Sequence, residues 1–125
     1  MFSHIMVGAT DIAASKAFYD ALFAVLDAKP AVVDAKGRVF YMHKDAVFAL
    51  TKPIDGNRAC GANGGTIGFA VDSPAQGDAW HAAGLAHGGT ACEDPPGIRE
   101  GAAGKMYLAY LRDPDGNKIC ALQRL

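Results

Sequence analysis

The stretch His4-Ile5-Met6-Val7-Gly8 runs into Ala9-Thr10-Asp11, and a similar pattern starts at Thr66-Ile67-Gly68-Phe69-Ala70, 62 residues further along the chain. In both copies a short apolar run, typical of a strand, leads to a residue that can cap a helix. The cap is Asp11 in the first copy and Ser73 in the second. Self-similarity at a fixed spacing indicates a duplicated structural unit. The sequence therefore predicts two copies of one module.

Each cap is followed by a predicted amphipathic helix. The second helix has Pro74 in its first turn, where the missing amide costs little, and Gly84 predicts its end. The first helix, beginning at Asp11, carries apolar residues at helical spacing, namely Ile12, Phe18, Tyr19, Leu22, Phe23 and Leu26. We expect one face of each helix to be core, with Phe18 and Trp80 as corresponding aromatic residues.

Three strands are predicted after each helix. They cover residues 31–33, 38–42 and 47–51 in the first copy and 90–92, 106–111 and 118–122 in the second. Between the last two lies Asp113-Pro114-Asp115-Gly116-Asn117, in which proline and glycine favour a turn. This pattern predicts a hairpin in which Asp113 and Asp115 are structural residues. Two glycine-rich segments, 53–65 and 94–104, are predicted loops.

The predicted fold class is α+β, with two βαβββ modules in tandem forming a curved mixed sheet or half-barrel cleft. A single domain is expected, with module 1 over about residues 1–53, a linker over about 54–64 and module 2 over about 65–125. Each helix covers one face of its sheet and leaves the other bare. The bare faces must therefore curve together or pair with another chain.

Composition excludes several classes of protein. The chain has 125 residues, 12 Lys and Arg against 13 Asp and Glu, and 50 % apolar residues, which is typical of a packed domain. It has no apolar run long enough to span a bilayer, no signal-peptide pattern and no basic cluster for nucleic acid. Its three cysteines form no Cys-x-x-Cys pair, which favours reduced thiols. We expect a cytoplasmic protein that binds neither membrane nor nucleic acid.

The segment from His4 to Asp11, followed by Ala17-Phe18-Tyr19-Asp20, resembles the opening of the vicinal oxygen chelate superfamily. This superfamily includes glyoxalase I, bleomycin-resistance proteins, fosfomycin-resistance proteins and extradiol dioxygenases. Asp113-Pro114-Asp115-Gly116-Asn117-Lys118-Ile119 resembles its closing hairpin. With the repeat, the resemblance covers essentially the whole chain. Its motifs are specific for the fold and weak for the reaction.

Superfamily members that use a metal ion typically hold it with one residue, usually histidine or glutamate, from each of four strands. The resemblance places these positions at His4, Ala49, Thr66 and Cys120. Zinc, nickel, iron or manganese needs three or four donors, and only His4 and Cys120 are good ones. We therefore expect no metal cofactor, and a divalent ion, if one binds, would bind at His4 and Cys120. No catalytic residue can be assigned.

Alternation along strands places residues two apart on the same face, which predicts a largely apolar cleft. Two interpretations of His4 stay open: it contacts a ligand, or it is buried and hydrogen-bonded to backbone groups. Cys120 is a nucleophile only if a neighbour lowers its pKa, and otherwise a small hydrophobe. The predicted lining comprises the four positions above and Met6, Phe40, Met42, Val47, Thr51, Gly68, Ala70, Leu108, Tyr110 and Leu122.

Three further side chains are candidates for polar contacts with a ligand. Arg99 and Lys105 flank the segment Glu100-Gly101-Ala102-Ala103-Gly104 and could grip an anionic group, or could simply be solvated. Tyr110 could donate its hydroxyl hydrogen to a ligand, or could be a core aromatic residue with its hydroxyl at the rim.

The favoured hypothesis is a metal-free protein that binds a small organic molecule in the cleft, similar in principle to bleomycin-resistance proteins. One alternative is an enzyme. It would be either a metal-dependent lyase or dioxygenase, like glyoxalase I, using His4, Cys120 and a third ligand, or a metal-free isomerase using His4 as base. A purely structural protein is the third possibility. The resemblance also implies a homodimer.

Overall fold

The computed structural model describes all residues, 1–125, as two mixed sheets and two helices with no closed barrel. This confirms the α+β class. Neither helix combines the length and the apolar character required to cross a membrane. The elements are β1 Ile5–Gly8, α1 Ile12–Val25, β2 Val32–Val33, β3 Val39–His43, β4 Ala46–Thr51, β5 Ile67–Ala70, α2 Pro74–Ala86, β6 Thr90–Ala91, β7 Gly97–Gly101, β8 Gly104–Arg112 and β9 Lys118–Arg124.

The two sheets repeat one topology. In the first, the strand order is β1-β4-β3-β2, with β1 parallel to β4 and the other pairs antiparallel. In the second, the order is β5-β9-β8-β6, again with the first pair parallel, and β7 also pairs with β8. The duplicated module is therefore present in both halves.

Equivalent caps begin the two helices, as predicted. The carboxylate of Asp11 accepts a hydrogen bond from the Ala14 amide, and the hydroxyl of Ser73 accepts one from the Gln76 amide. Each cap satisfies one of the free N–H groups in a first helical turn. The repeat in the sequence thus sets where both helices start.

One hydrophobic core joins the halves. The helices pack against each other, and the side chains of Phe18 and Trp80 are fully buried, as expected. Phe69 of β5 lies with its ring centroid 5.2 Å from Phe23 of α1 and 5.4 Å from Phe48 of β4. The side of each sheet that faces the helices is therefore core, and we call the opposite side the open face.

Two predictions about the second half were wrong. The predicted loop 94–104 contains β7, which pairs with β8 from Gly97 to Gly101. Pairing with a neighbouring strand outweighs the low strand propensity of these glycines. Helix α2 continues past Gly84 to Ala86 because Gly84 serves helix packing. A Cβ atom there would collide with Leu111 and approach Leu22 at 3.2 Å.

The remaining strands lie within one residue of their predicted ends, except that β8 begins two residues earlier and β9 ends two residues later. The hairpin between β8 and β9 is confirmed. Its Gly116 has φ +90°, a conformation that glycine adopts without strain.

Hydrogen bonds connect the turn of that hairpin, in the second half, to the start of α1. One carboxylate oxygen of Asp115 accepts from the Thr10 amide at 3.0 Å, and the other accepts from the Ser15 hydroxyl at 3.1 Å. The buried carboxylate of Asp113 accepts from the Tyr19 hydroxyl at 2.7 Å. Both aspartates therefore have structural partners, in agreement with the sequence-based interpretation.

Candidate functional site

The open face of the first sheet carries the side chains that alternation predicted. Strand pairing aligns Met6 with Ala49 and Ala49 with Phe40, and it aligns Met42 with Val47. Met6 is 36 % and Met42 46 % exposed, while Ala49 is fully covered. This face is consequently apolar and accessible at its larger side chains.

The open face of the second sheet follows the same rule. Gly68, Cys120 and Tyr110 are cross-strand neighbours, as are Ala70, Leu122 and Leu108. A Cβ atom built on Gly68 would meet only the Cys120 sulfur, at 3.4 Å, so the space above this glycine is open. Neither sheet has a bulge that moves a predicted residue to the core side.

Cys120 is almost fully buried on this face, with 5 % of its surface exposed. Burial raises the pKa of its thiol, and the positive charge of Lys118 only partly opposes this effect. Because the thiolate is the form that attacks electrophiles and binds metals, the shift favours the interpretation of Cys120 as a small hydrophobe.

His4 lies just before β1 and is exposed, with Nδ1 2.8 Å from the hydroxyl oxygen of Ser3. It is not a buried histidine bonded to the backbone, so that alternative was wrong. Thr66 is also exposed, and Ala49 has no donor atom.

The side chains at the four positions that resemble metal ligands do not fit a metal ion. They comprise an exposed imidazole at His4, a neutral hydroxyl at Thr66, a protonated thiol at Cys120 and the methyl group of Ala49. No group of three or more His, Cys, Asp or Glu side chains elsewhere in the chain is arranged to hold one. His43, a conceivable substitute, lies at the end of β3 on the face opposite Met42.

Tyr110 is half-buried beside a cation. The Lys118 ammonium lies 5.0 Å from the centre of its ring and also pairs with Glu93. Burial raises the pKa of the Tyr110 hydroxyl, and the negative charge of Glu93 adds to this effect. The phenol therefore keeps its proton at neutral pH and can donate a hydrogen bond from the open face.

Arg99 is engaged by its own loop. Its guanidinium donates to the carbonyl oxygens of Gly97 and Asp94 at 3.0 Å and of Pro95 at 2.9 Å. Lys105 is exposed and lies opposite Glu100 in the β7–β8 hairpin. These contacts give Arg99 a structural role in its loop. Anion binding by Arg99 or Lys105 stays a prediction.

Two cavities lie where the edge of the first sheet meets β5. The apolar seam cavity, of about 330 Å³, contains Val47, Gly68 and Ala70 from the predicted lining, and ten of its 13 residues are hydrophobic. A second cavity, of about 370 Å³, contains Met6 and Thr66. The structure therefore brings predicted residues from both halves together, whereas His4, Phe40, Ala49, Tyr110 and Cys120 line neither cavity.

A third cavity was missed by the sequence analysis. It is an open groove of about 1310 Å³ between the end of the first sheet, α1 and the linker, and it includes Met6 and Thr51. We call it the linker groove; its charged lining residues are Lys16, Lys36, Arg38, Lys52, Arg58 and Asp55. In the sequence, only the basic residues at both ends of segment 52–58 indicated such a groove. Their proximity to Lys36 depends on the fold.

Comparison with known proteins identifies the family. The family model described as "Glyoxalase/Bleomycin resistance protein/Dioxygenase superfamily" matches residues 1–121. The chain belongs to this superfamily. A glyoxalase/bleomycin resistance protein from Albidiferax ferrireducens T118 has a similar structure, with 59 % identity, a TM-score of 0.95 and 99 % of each chain covered. No curated protein matches.

More distant solved structures share the architecture. An integron cassette protein from V. cholerae shares 28 % identity with a TM-score of 0.65, over 98 % of this chain and 93 % of that one. A lactoylglutathione lyase from Agrobacterium tumefaciens shares 22 % identity with a TM-score of 0.67, over 98 % and 92 %. The latter likeness concerns the fold alone.

Proposed function

We propose that this superfamily member binds a small, largely apolar organic molecule without a metal ion, in the apolar seam cavity and on the adjoining open faces. The observation that carries the proposal is the chemistry of the four ligand-equivalent positions, where Ala49 offers no donor and the thiol of Cys120 stays protonated. A divalent metal requires more donors than His4 and Thr66 can supply.

The size and lining of the apolar seam cavity support binding of such a molecule. Its volume of about 330 Å³ lies at the lower end of the range of roughly 300–1,000 Å³ typical of small-molecule pockets. Phe23, Phe48 and Phe69, which face the core, are among its lining residues, and His43 and Lys44 are the polar ones. Such a lining favours apolar ligands and confers little hydrogen-bond specificity.

The test of the cavity uses an uncharged fluorescent probe, phenylnaphthylamine, and a matched pair of variants. Ala46 lines the apolar seam cavity on the same face of β4 as Phe48, whereas Ala82 is exposed on α2 and lines neither seam cavity. Ala46→Phe should lower the affinity for the probe at least about fivefold by filling space, and Ala82→Phe should leave it unchanged. Equal affinities of the two variants would show that the probe binds elsewhere.

The test of metal independence uses protein purified without added metal. Elemental analysis should give far less than one zinc, nickel, iron or manganese per chain, and chelation should not change probe binding. Stoichiometric metal that persists through dialysis would contradict the proposal. Homodimerisation and a cytoplasmic location stay predictions, to be measured by light scattering and by cell fractionation.

A further inference from the structure

We infer that the linker groove is a second binding site, which takes small organic anions with an apolar body, such as an aryl carboxylate or sulfonate. This inference is independent of the ligand proposed for the apolar seam cavity. It depends on the charge, the unpaired cations and the exposed apolar surface that the fold gathers between the linker and the end of the first sheet.

The groove concentrates positive charge in a chain that is slightly acidic. Five of the 12 lysines and arginines line it, with Asp55 as the single acidic lining residue. The rest of the chain then holds seven basic and 12 acidic residues. A cleft lined by one sign of charge focuses the electric field and attracts ligands of the opposite sign.

Three of these cations have no protein partner for their charge. Lys16 pairs with Asp20 at 2.7 Å and Arg38 pairs with Asp34 at 2.6 Å, whereas Lys36, Lys52 and Arg58 form no ion pair. The Asp55 carboxylate accepts two hydrogen bonds from Asn57, one from its amide and one from its side chain. Asp55 forms no ion pair with the three free cations, and its single negative charge leaves the lining net positive.

The three free cations come from separate parts of the chain. Lys36 lies in the turn before β3, Lys52 directly follows β4, and Arg58 lies in the linker. The linker is held in place because the Ala59 amide donates to the Thr10 hydroxyl at 2.9 Å and Ala59 packs against Gly8. The cations therefore converge on one groove through tertiary contacts.

The exposed apolar surface beside these cations favours a ligand whose body is apolar. Val33 is 52 % exposed, Ile54 is fully exposed, and Met6 forms part of the same wall. Burial of such side chains stabilises a complex in proportion to the apolar area covered. A ligand that places its anionic group among Lys36, Lys52 and Arg58 can cover this surface with its body.

The direct test measures binding of anilinonaphthalene sulfonate, an anion with a large apolar body, by its fluorescence. The double variant Lys52→Gln and Arg58→Gln should weaken binding about tenfold, since it removes two charge-assisted contacts. The matched control is Lys29→Gln with Arg124→Gln, which removes two exposed cations outside the groove and should leave affinity unchanged. Circular dichroism verifies that both variants fold.

The effect of salt and the binding of an uncharged probe show whether charge is responsible for the binding of the sulfonate. Affinity for the sulfonate should fall as salt rises from about 0.05 M to about 0.5 M, because exposed charges are screened over a shorter distance. Phenylnaphthylamine, which lacks the sulfonate, should bind both double variants equally. An equal loss of the uncharged probe in the groove variant would overturn the inference.

The location is tested by amide chemical shifts in a nitrogen-15 spectrum. Shifts induced by the sulfonate at Gly37, Lys52 and Cys60 would support the groove. Shifts confined to Gly68, Ala70 and Tyr110 would overturn the inference and assign the anion to the open face. The Ala46→Phe variant should bind the sulfonate normally at the groove, so failure of one proposed site is distinguishable from failure of the other.

Discussion

Replacement of Asp113 by alanine should destabilise the whole chain, because this carboxylate holds two distant elements together. It is buried and accepts from the Tyr19 hydroxyl at 2.7 Å, from the Asn117 side chain at 2.8 Å, and from the Asp115 and Asn117 amides at 2.9 Å. All four donors lose their acceptor in Asp113→Ala.

The size of the effect follows from which donors can reach water. The side chain of Tyr19 is fully buried, so its hydroxyl would be left without a partner at a cost of about 1–3 kcal/mol. The turn donors can partly rehydrate, and the loss of their bonds to a charged acceptor adds roughly 2 kcal/mol. The free energy of unfolding should therefore fall by about 3–5 kcal/mol, a large share of the roughly 5–15 kcal/mol typical of a domain.

Urea unfolding of four proteins tests this reasoning: the wild type, Asp113→Ala, Tyr19→Phe and the double variant. Tyr19→Phe should cost about 1.5–3 kcal/mol, and the double variant little more than Asp113→Ala alone, since it removes the unpaired hydroxyl. The m value should stay constant. A cost below about 1 kcal/mol for Asp113→Ala, or strict additivity of the two changes, would refute the account.

Three further outcomes are expected. At about pH 8, iodoacetamide should modify Cys60, which is exposed, much faster than Cys120, whose pKa is raised by burial; equal rates by mass spectrometry would contradict the assignment. Gly77→Ala should lower stability by about 1–3 kcal/mol, because its Cβ would collide with the Tyr107 ring. Gly101→Ala should change stability by less than about 0.5 kcal/mol, because the nearest atom to its added Cβ would be Cε of Met106, at 3.9 Å. Burial lowers the pKa of His81, and the Tyr110 backbone and the charge of Asp78 oppose this effect only in part. Below about pH 6.5 the unfolded chain therefore binds more protons than the folded chain. Stability should therefore decrease with acidification through that range, and His81→Gln should flatten this part of the profile in pH-dependent thermal melts.

The sequence predicted the architecture well because its strongest signals were local. Asp11 and Ser73 cap their helices through hydrogen bonds within three residues, and alternation placed Met6, Ala49 and Cys120 on open faces that the registers confirm. These features depend on helical and strand periods that can be counted along the chain.

The errors arose where contacts between distant segments decide the structure. β7 is a strand because β8 offers it a partner, and Gly84 lies inside α2 because Leu111 and Leu22 pack closely against it. The linker groove was missed for the same reason, since Lys36 and Arg58 converge only after the linker packs against Thr10. The ligand itself stays a proposal because apolar side chains carry little chemical identity.

The hydrogen bond from the Thr10 amide to the Asp115 carboxylate joins residues 105 apart in the sequence, so it ties the two halves of the chain together. If the chain were cut within the linker, the first fragment would lose an acceptor for its Thr10 amide and the second would expose Phe69. Each fragment would therefore be a poor folding unit alone, and the pair would behave as a complementation system that regains structure on mixing.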